Sequence, residues 1–431
     1  MKKVYLLLFL AIFALGIFLR YSDYEKTPRH GATFDEFAWT WLGINIIQNG
    51  IPISWSSQPQ YKDREHLIYQ GAAFWIVKPY LEHPPLFGIV AGSFALLNGV
   101  SDMSHVTLER IRPLAIILGA LSILVIFLLT KELYGMQIAL LASAIYATVP
   151  TIVIGSRIVQ NENFLIPFWL LSLYLIMKYL KTGRKRFRNI AAVLAGLLSL
   201  AKVPWLVVGL SLSMILSYRG KWRDAFLVSG ITAIIFSLFI LYGIYFDKEL
   251  FVNLWQLQLA RYDISFAGFF SVFTSPLLVD RFFIDGWIFF GWFSIFLLSR
   301  DLKKNYMIVI PFIAYLMVYV FGIPNEPAHG WYRYPFFPFI IISSAVILYD
   351  EIKKVSPASL LFILLVGLSL LNSTWEVDFG FSFIIYRLFL LAAALSVIIP
   401  LWNIKKYKSP TGLWIIFFIL LNIWSVFSYK D

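Results

Sequence analysis

The sequence contains no cysteine and few charged residues, and both absences narrow what the protein can be. Without cysteine among its 431 residues, the chain can form no disulfide, no thiolate metal site and no thiol nucleophile. Only 14% of the residues are Asp, Glu, Lys or Arg, whereas 60% are hydrophobic and the mean hydropathy is +0.76. A soluble domain has about 25% charged residues. The composition therefore predicts an integral membrane protein.

The chain also lacks the motifs of nucleotide chemistry. It has no P-loop, no Rossmann glycine pattern and no HExxH zinc motif. The net charge of +12 would suit nucleic-acid binding, but the basic residues lie mostly in short connections between apolar segments. That placement is typical of membrane topology, so we expect no nucleic-acid partner.

Apolar segments recur along the chain at lengths that suit membrane helices, which predicts an all-α polytopic fold. We predict about thirteen spans, close to residues 4–19, 111–130, 136–155, 164–180, 189–201, 203–217, 225–246, 282–299, 306–323, 334–349, 358–372, 381–401 and 412–428. The pair at 189–217 is either two short helices or one bent hairpin. The short segment 84–100 begins with Pro-Pro and is predicted to lie at the membrane interface.

The charge distribution orients these spans. One side of the predicted membrane carries 20 of the 36 Lys and Arg residues and only 5 of the 24 Asp and Glu residues. By the positive-inside rule this side is cytoplasmic, which places the N-terminus inside and the C-terminus outside. Four polar segments then share the outer face, namely residues 21–86, 156–163, 247–281 and 323–335. We expect an active site on this extracytoplasmic face of the plasma membrane.

The first outer segment holds the most informative polar residues. Residues 33–36 (TFDE) fit a capping box, which predicts a helix from Thr33 to about Asn49 that Gly50 ends. Asp35 would then lie in the first turn, where the helix dipole favours an ionised carboxylate. Such a carboxylate could act as a general base on a hydroxyl, or it could simply cap the helix. The pattern leaves both roles open.

Five motifs follow one another along the chain: FDEF (34–37), EHPPL (82–86), ERIRPL to LYG (109–135), SRIVQNEN (156–163) and WYRYPFFPFIIISSA (331–345). Together they resemble the GT-C membrane glycosyltransferases, in particular the protein O-mannosyltransferases and the aminoarabinose transferases of lipid A. The resemblance covers residues 1–215 and, locally, 330–350. It implies the GT-C fold, with interfacial helices in the first outer loop. It also implies transfer of a sugar, with inversion, from a polyprenyl phosphate to a hydroxyl.

The resemblance assigns roles to the acidic residues of these motifs. It implies that Asp35 is the catalytic base and that Glu36 supports the same site, although capping alone would explain Glu36. Glu82 and His83 occupy the two positions before Pro-Pro, where the family has an acid followed by a hydrogen-bond donor. His83 matches the mannosyltransferase branch. Glu162 stands where the family usually has Asp. Glu82, His83 and Glu162 are also candidate ligands for a divalent metal, although they form no obvious tetrahedral set.

Cations are needed on the outer face to neutralise the donor phosphate. Arg333, Arg157 and Lys202 lie at the mouths of predicted spans and are the candidates, together with His83. Arg333 could instead be an interfacial anchor, and Lys202 could snorkel to the headgroups. Arg157 could form a local ion pair with an acid five residues on. Arg112 is assigned to a lipid headgroup contact.

The sequence predicts two membrane modules and no soluble domain. Residues 1–246 form the catalytic module, with its first outer loop at 21–84, and residues 247–431 form a variable C-terminal module. The expected partners are a polyprenyl-phosphate-linked sugar donor, an unknown acceptor and membrane lipid. A secondary transporter or lipid-linked-sugar flippase is the competing hypothesis, and a polymerase or ligase of surface glycans is a third. The transferase is favoured because the polar residues cluster in outer loops rather than in mid-span.

Overall fold

The computed structural model describes residues 2–260, 272–273, 286–323, 330–371, 380, 382–402 and 409–429. Every segment predicted to span the membrane is helical over most of its described length. Helices satisfy all backbone groups within one segment, which is what long apolar stretches require in lipid. Residues 261–271, 274–281 and 324–329 of two predicted outer loops lie outside the described residues, as do residues 282–285 of the predicted span 282–299.

The first half of the chain forms eleven of the helices in the described part, labelled here in chain order. They are α1 (Lys2–Tyr21), α2 (Asp35–Asn49), α3 (Leu86–Leu97), α4 (Leu108–Ile111), α5 (Pro113–Tyr134), α6 (Met136–Thr148), α7 (Pro150–Gly155), α8 (Asn161–Thr182), α9 (Lys185–Ser199), α10 (Leu206–Tyr218) and α11 (Trp222–Ala260). The second half continues with α12 (Gly286–Ser299), α13 (Leu302–Gly322), α14 (Phe337–Lys353), α15 (Pro357–Val366), α16 (Phe383–Trp402) and α17 (Thr411–Ser428).

Eight helices of the described chain are long and apolar enough to cross a membrane. They are Lys3–Tyr21, Leu108–Tyr134, Asn161–Thr182, Trp222–Ala260, Leu302–Gly322, Gly330–Lys353, Phe383–Trp402 and Thr411–Ser428. Five further apolar helices have only 10–17 residues, so the predicted number of thirteen spans is not confirmed. One of these five is α3, whose 12 residues would reach about 18 Å, well short of a hydrocarbon core.

Breaks in the helices follow the local sequence. Between α9 and α10 the chain forms a short 3₁₀ turn, Val203–Trp205, that contains Pro204. Proline lacks the N–H that a continuous helix would need, so the predicted pair at 189–217 is two short helices. Helix α11 is interrupted at Asp247, where φ is −165° and ψ is 100°. The predicted module boundary lies at this break and stays a prediction.

The first loop contains a three-stranded antiparallel sheet that the sequence analysis did not predict. In the spatial order β1-β3-β2, its strands are β1 (Ser54–Trp55), β2 (Arg64–Tyr69) and β3 (Ala72–Val77). Gln70 and Gly71 have φ values of 49° and 81°, so a two-residue turn of the primed kind joins β2 to β3. The inner face of the sheet packs on α2, where the ring of Phe74 lies 6.2 Å from that of Phe37.

Helices α2 and α3 approach each other through glycines. A Cβ atom on Gly43 would lie 1.8 Å from the carbonyl oxygen of Gly88, and one on Gly92 would lie 2.4 Å from the carbonyl carbon of Gly43. The two backbones can be this close only because none of the three residues has a side chain. The contact fixes residues 82–85, which precede α3, relative to α2.

Candidate active site

Asp35 is the first residue of α2 and is only partly buried. Its backbone N–H donates to Thr33 Oγ1 at 3.2 Å. Phe34 is the N-cap residue, its side chain makes no capping hydrogen bond, and Glu36 does not bond back to Thr33 as a capping box requires. The predicted capping box and helix start at Thr33 are therefore wrong. The first-turn position of Asp35 and the helix end at Asn49 are confirmed, with Gly50 in the left-handed conformation at φ 68°.

Glu36 forms a buried ion pair with Arg112 instead of a capping box. Arg112 Nε donates to Glu36 Oε1 at 3.0 Å and Nη2 donates to Oε2 at 2.9 Å, and both side chains are at most 1% exposed. Arg112 Nη1 also donates to the carbonyls of Tyr24 and Pro28. The predicted headgroup contact of Arg112 is therefore wrong. Glu36 Oε1 accepts a further bond from the N–H of Val159 at 3.0 Å, so a catalytic role for Glu36 itself stays a prediction.

Gln160, which the sequence analysis did not single out, links Asp35 to Trp39. Gln160 Nε2 donates to Asp35 Oδ2 at 3.0 Å. Gln160 Oε1 accepts from Trp39 Nε1 at 2.8 Å and from the N–H of Asn161 at 3.2 Å. Gln160 is fully buried and is the N-cap residue of α8. The sequence indicated Gln160 only through its place in the polar segment 156–163. Asp35 lies 125 residues away, so no local pattern links the two residues.

A second buried ion pair lies at the start of α8. Lys202 Nζ lies 2.7 Å from Glu162 Oε1, and the two side chains are 6% and 0% exposed. Glu162 Oε2 accepts no hydrogen bond from the described residues. Lys202 Nζ also lies 4.2 Å from the ring centroid of Tyr332 and 5.6 Å from that of Trp205. The prediction that Lys202 snorkels is wrong, because its amine is buried in this pair.

The charge on Lys202 is maintained by its neighbours. Burial alone would lower the pKa of the Lys202 amine, but the carboxylate of Glu162 and the phenol of Tyr332 raise this pKa above its ordinary value. The carboxylate of Asp35 acts in the same direction, which places it within electrostatic reach of Lys202. Lys202 is therefore a buried cation, and its partner Glu162 lies two residues from Gln160, the partner of Asp35.

Glu82 lies at the edge of the same region. It is 8% exposed and accepts a hydrogen bond from the hydroxyl of Ser56. The pKa values of the neighbouring phenols of Tyr61 and Tyr80 are raised, first by burial and then by the charge of Glu82. The residue that follows β1 therefore holds Glu82 in place, and the site role of Glu82 stays a prediction.

His83 packs against the aromatic side of the site. The centroid of its ring lies 5.2 Å from that of Trp39. Three residues on, the N–H of Leu86 donates to the carbonyl of Leu200 at 2.9 Å. This bond joins the segment that contains His83 to the turn that carries Lys202, so the two predicted phosphate ligands are held on neighbouring segments.

The two arginines predicted to bind the donor phosphate are buried and hydrogen-bonded to the main chain. Arg157 is 1% exposed and donates to the carbonyls of Leu19 at 2.7 Å and Thr27 at 3.2 Å. Arg333 is 5% exposed and donates to both carbonyls of residues 272–273 at 3.1 Å. These bonds hold both arginine side chains against main-chain carbonyls. Phosphate binding by either arginine stays a prediction.

The predicted metal ligands do not come together in the part of the chain that the structure describes. No group of three or more Asp, Glu or His side chains there could hold a metal ion. Glu82 is bonded to Ser56, and Glu162 is paired with Lys202. The donor set does not fit a divalent cation, and a metal requirement stays a prediction.

The site combines a carboxylate that can accept a proton, Asp35, with a buried cation, Lys202. Asp35 Oδ2 is held by Gln160, and Oδ1 accepts no hydrogen bond from any described residue. A partly exposed carboxylate with one open oxygen can take a proton from a hydroxyl. Lys202, held between Glu162 and Tyr332, can stabilise negative charge that develops nearby.

The chain was compared with known families and structures. Residues 82–246 match the family model described as dolichyl-phosphate-mannose-protein mannosyltransferase. No curated protein matches the chain in sequence. ArnT from Cupriavidus metallidurans, solved bound to undecaprenyl phosphate, is 16% identical with a TM-score of 0.61. That alignment covers 99% of this chain and 76% of ArnT.

Two further solved structures are similar. The archaeal oligosaccharyltransferase AglB from Archaeoglobus fulgidus is 15% identical with a TM-score of 0.50, and the arabinosyltransferase EmbB from Mycobacterium smegmatis is 12% identical with a TM-score of 0.57. The alignments cover 99% and 96% of this chain but only 56% and 40% of those proteins. The predicted resemblance is confirmed: the chain is a multi-pass membrane protein with the GT-C fold, similar to the mannosyltransferases and to ArnT.

Proposed function

We propose that this GT-C protein is an inverting glycosyltransferase. It moves a sugar from a polyprenyl-phosphate donor to an acceptor hydroxyl on the extracytoplasmic face of the plasma membrane. The observation that carries the proposal is Asp35, a partly exposed carboxylate with one open oxygen, within electrostatic reach of the buried cation Lys202. The family described for residues 82–246 and the lipids bound to ArnT and AglB support a polyprenyl phosphate as the donor class.

The reaction needs one base and one site for the leaving group. The acceptor oxygen attacks the anomeric carbon on the face opposite the phosphate, and its proton passes to Asp35 Oδ1. The bond between the anomeric carbon and the phosphate oxygen breaks, so polyprenyl phosphate leaves with the bonding electrons and the sugar inverts. Asp35 must be ionised before the reaction, so that Oδ1 can take up this proton.

The leaving phosphate requires positive charge, and four residues are the candidates. Lys202 and His83 lie on segments joined by the Leu86 hydrogen bond and face the Asp35 side of the site. Arg157 is anchored to the carbonyls of Leu19 and Thr27, and Arg333 to those of residues 272–273. We assign Lys202 the main role, because its charge is maintained although it is buried.

The proposal is tested by Asp35→Asn in purified protein reconstituted with polyprenyl-phosphate sugars. Asparagine keeps the shape of aspartate and an oxygen that accepts from Gln160, so we expect a folded protein that still binds the donor. It cannot take up the proton, and we expect turnover to fall by about 10²–10⁴-fold. Release of polyprenyl phosphate and transfer of labelled sugar are the measurements.

The matched control is Asp63→Asn, the same change at an exposed position of the first loop. We expect Asp63→Asn to turn over as the parent does. Near-normal turnover by Asp35→Asn would show that the base lies elsewhere. Movement of intact lipid-linked sugar across the bilayer, with no release of polyprenyl phosphate, would favour the flippase hypothesis instead.

A further inference from the structure

We infer that Gln160 is a positioning residue that selects which oxygen of Asp35 is the base. Gln160 holds Oδ2 through its amide group and so leaves Oδ1 to the acceptor. This inference rests on the proposed function, because it assigns a role within the same reaction. Gln160 itself touches neither donor nor acceptor in the proposed arrangement.

The orientation of the Gln160 amide is set by its partners. The indole of Trp39 can only donate a hydrogen bond, and so can the N–H of Asn161. The nitrogens of both N–H groups lie close to the same atom of the Gln160 amide, at 2.8 Å for Trp39 and 3.2 Å for Asn161, so that atom must be the oxygen. The other end is therefore the NH₂ group, and it faces the carboxylate of Asp35 at 3.0 Å.

The frame around Gln160 is rigid. Asp35 and Trp39 are four residues apart on α2, so they lie on the same face of the helix. The residue before Gln160, Val159, donates its N–H to Glu36 Oε1 at 3.0 Å and ties this segment to the same helix. Gln160 and Trp39 are 0% and 3% exposed, so water does not compete for the bond between them.

Holding one oxygen has a defined consequence for the reaction. A carboxylate that rotates freely presents either oxygen to the acceptor, and only some orientations are productive. The bond from Gln160 removes this freedom before the acceptor binds. Less conformational entropy is then lost on reaching the transition state. We therefore expect loss of this bond to lower kcat and to leave donor binding unchanged.

The test separates positioning from a purely structural role. Gln160→Met removes the bond to Asp35, and we expect kcat to fall about 10–100-fold, with the KM for the donor within about twofold. Gln160→Glu keeps the acceptor for Trp39 and Asn161 but places a carboxylate against Asp35. We expect the acid limb of its pH–kcat profile to move to higher pH by about one unit or more, because two close carboxylates share a proton. The other titratable groups near Asp35 are unchanged in these variants, namely Glu36, Tyr80, Glu162, Lys202 and Tyr332.

Combination with Asp35→Asn decides whether Gln160 acts through Asp35. If it does, adding Gln160→Met to Asp35→Asn causes no further loss of kcat. Trp39→Phe keeps the ring but loses the N–H that orients the amide, and we expect a smaller fall in kcat, about threefold to tenfold. A parental kcat in Gln160→Met, or an equal further loss in the Asp35→Asn background, would overturn the inference.

A second measurement does not depend on turnover. The Tm of Gln160→Glu should fall relative to the parent as the pH rises from about 5 to 8, because the raised pKa of the introduced carboxyl favours folding only while it is protonated. Adding Asp35→Asn should reduce this pH dependence to the part that burial of the introduced carboxyl causes by itself. A pH dependence that Asp35→Asn leaves unchanged would refute the contact. If the contact is present but the parent releases no polyprenyl phosphate from any donor, the proposed function fails, and the catalytic role inferred for Gln160 fails with it.

Discussion

Glu36→Gln tests whether the second acid of the FDEF motif acts in catalysis or in folding. In the structure both carboxylate oxygens of Glu36 are engaged by Arg112, and one of them also accepts from the N–H of Val159. Glutamine has one oxygen and one NH₂ group at these positions. In either orientation one N–H of Arg112 faces the NH₂ group, and the guanidinium loses its counter-charge while 0% exposed.

The expected cost follows from this geometry. Removing one partner of a buried ion pair costs about 3–5 kcal/mol, because the remaining charge is left uncompensated. Glutamine retains one hydrogen bond to Arg112, so we expect about 3 kcal/mol, at the low end. For a cooperative unit of 431 residues, with about 2.1 cal/mol/K of unfolding entropy per residue, that corresponds to a fall in Tm of about 3 °C.

Tm in detergent and turnover well below Tm are the two measurements. The double variant Glu36→Leu with Arg112→Met removes both charges, and we expect it to regain most of the lost Tm. Glu36→Gln should keep turnover within about tenfold of the parent, since its effect on Asp35 passes only through Val159. A parental Tm combined with a loss of turnover of about 10²-fold or more would refute this reasoning and make Glu36 a catalytic residue.

Two further predictions concern topology and packing. Single cysteines placed at the exposed positions Lys62 and Lys185 should differ in their labelling by an impermeant thiol reagent in intact cells, since only position 62 is predicted to face outward. The chain has no cysteine of its own to interfere. Labelling of position 185 alone would show that the predicted orientation is wrong. Gly43→Ala should greatly reduce the yield of folded protein, because its methyl group would overlap the Gly88 carbonyl, whereas Gly230→Ala meets no atom within 4 Å and should change stability by about 0.5 kcal/mol or less. Equal yields would show that α2 and α3 are not in close contact.

The helices could be predicted because their signals are local. Gly50 ended α2 as its sequence indicates, and Pro204 divided the pair at 189–217. The hairpin carried a weaker signal. Its turn is Gln70-Gly71 rather than the Asn-Gly or Asp-Gly pair that marks such turns, and the charged residues of β2 resemble an ordinary polar loop.

The contacts of the candidate site could not be predicted, because they join distant parts of the chain. The S/T-x-x-E pattern was misleading since Glu36 has a stronger partner 76 residues away in Arg112. Lys202 was predicted as a cation of the site, but its partner Glu162 lies 40 residues away and was given a separate role. Gln160 has no distinctive sequence pattern at all. Its importance depends on the orientation that Trp39 imposes on its amide.

The glycine contact between α2 and α3 makes one distance within the site independent of the thickness of the bilayer. Transmembrane helices tilt when the thickness of the lipid changes, and residues on different spans shift against each other as they do so. Asp35 and residues 82–85 are carried by two short helices locked backbone to backbone, so their separation does not follow that tilt. Gln160 differs, because it is the N-cap residue of α8, a helix long enough to span the membrane. Lipid-facing positions of the other long spans can therefore diverge without moving Asp35 relative to residues 82–85.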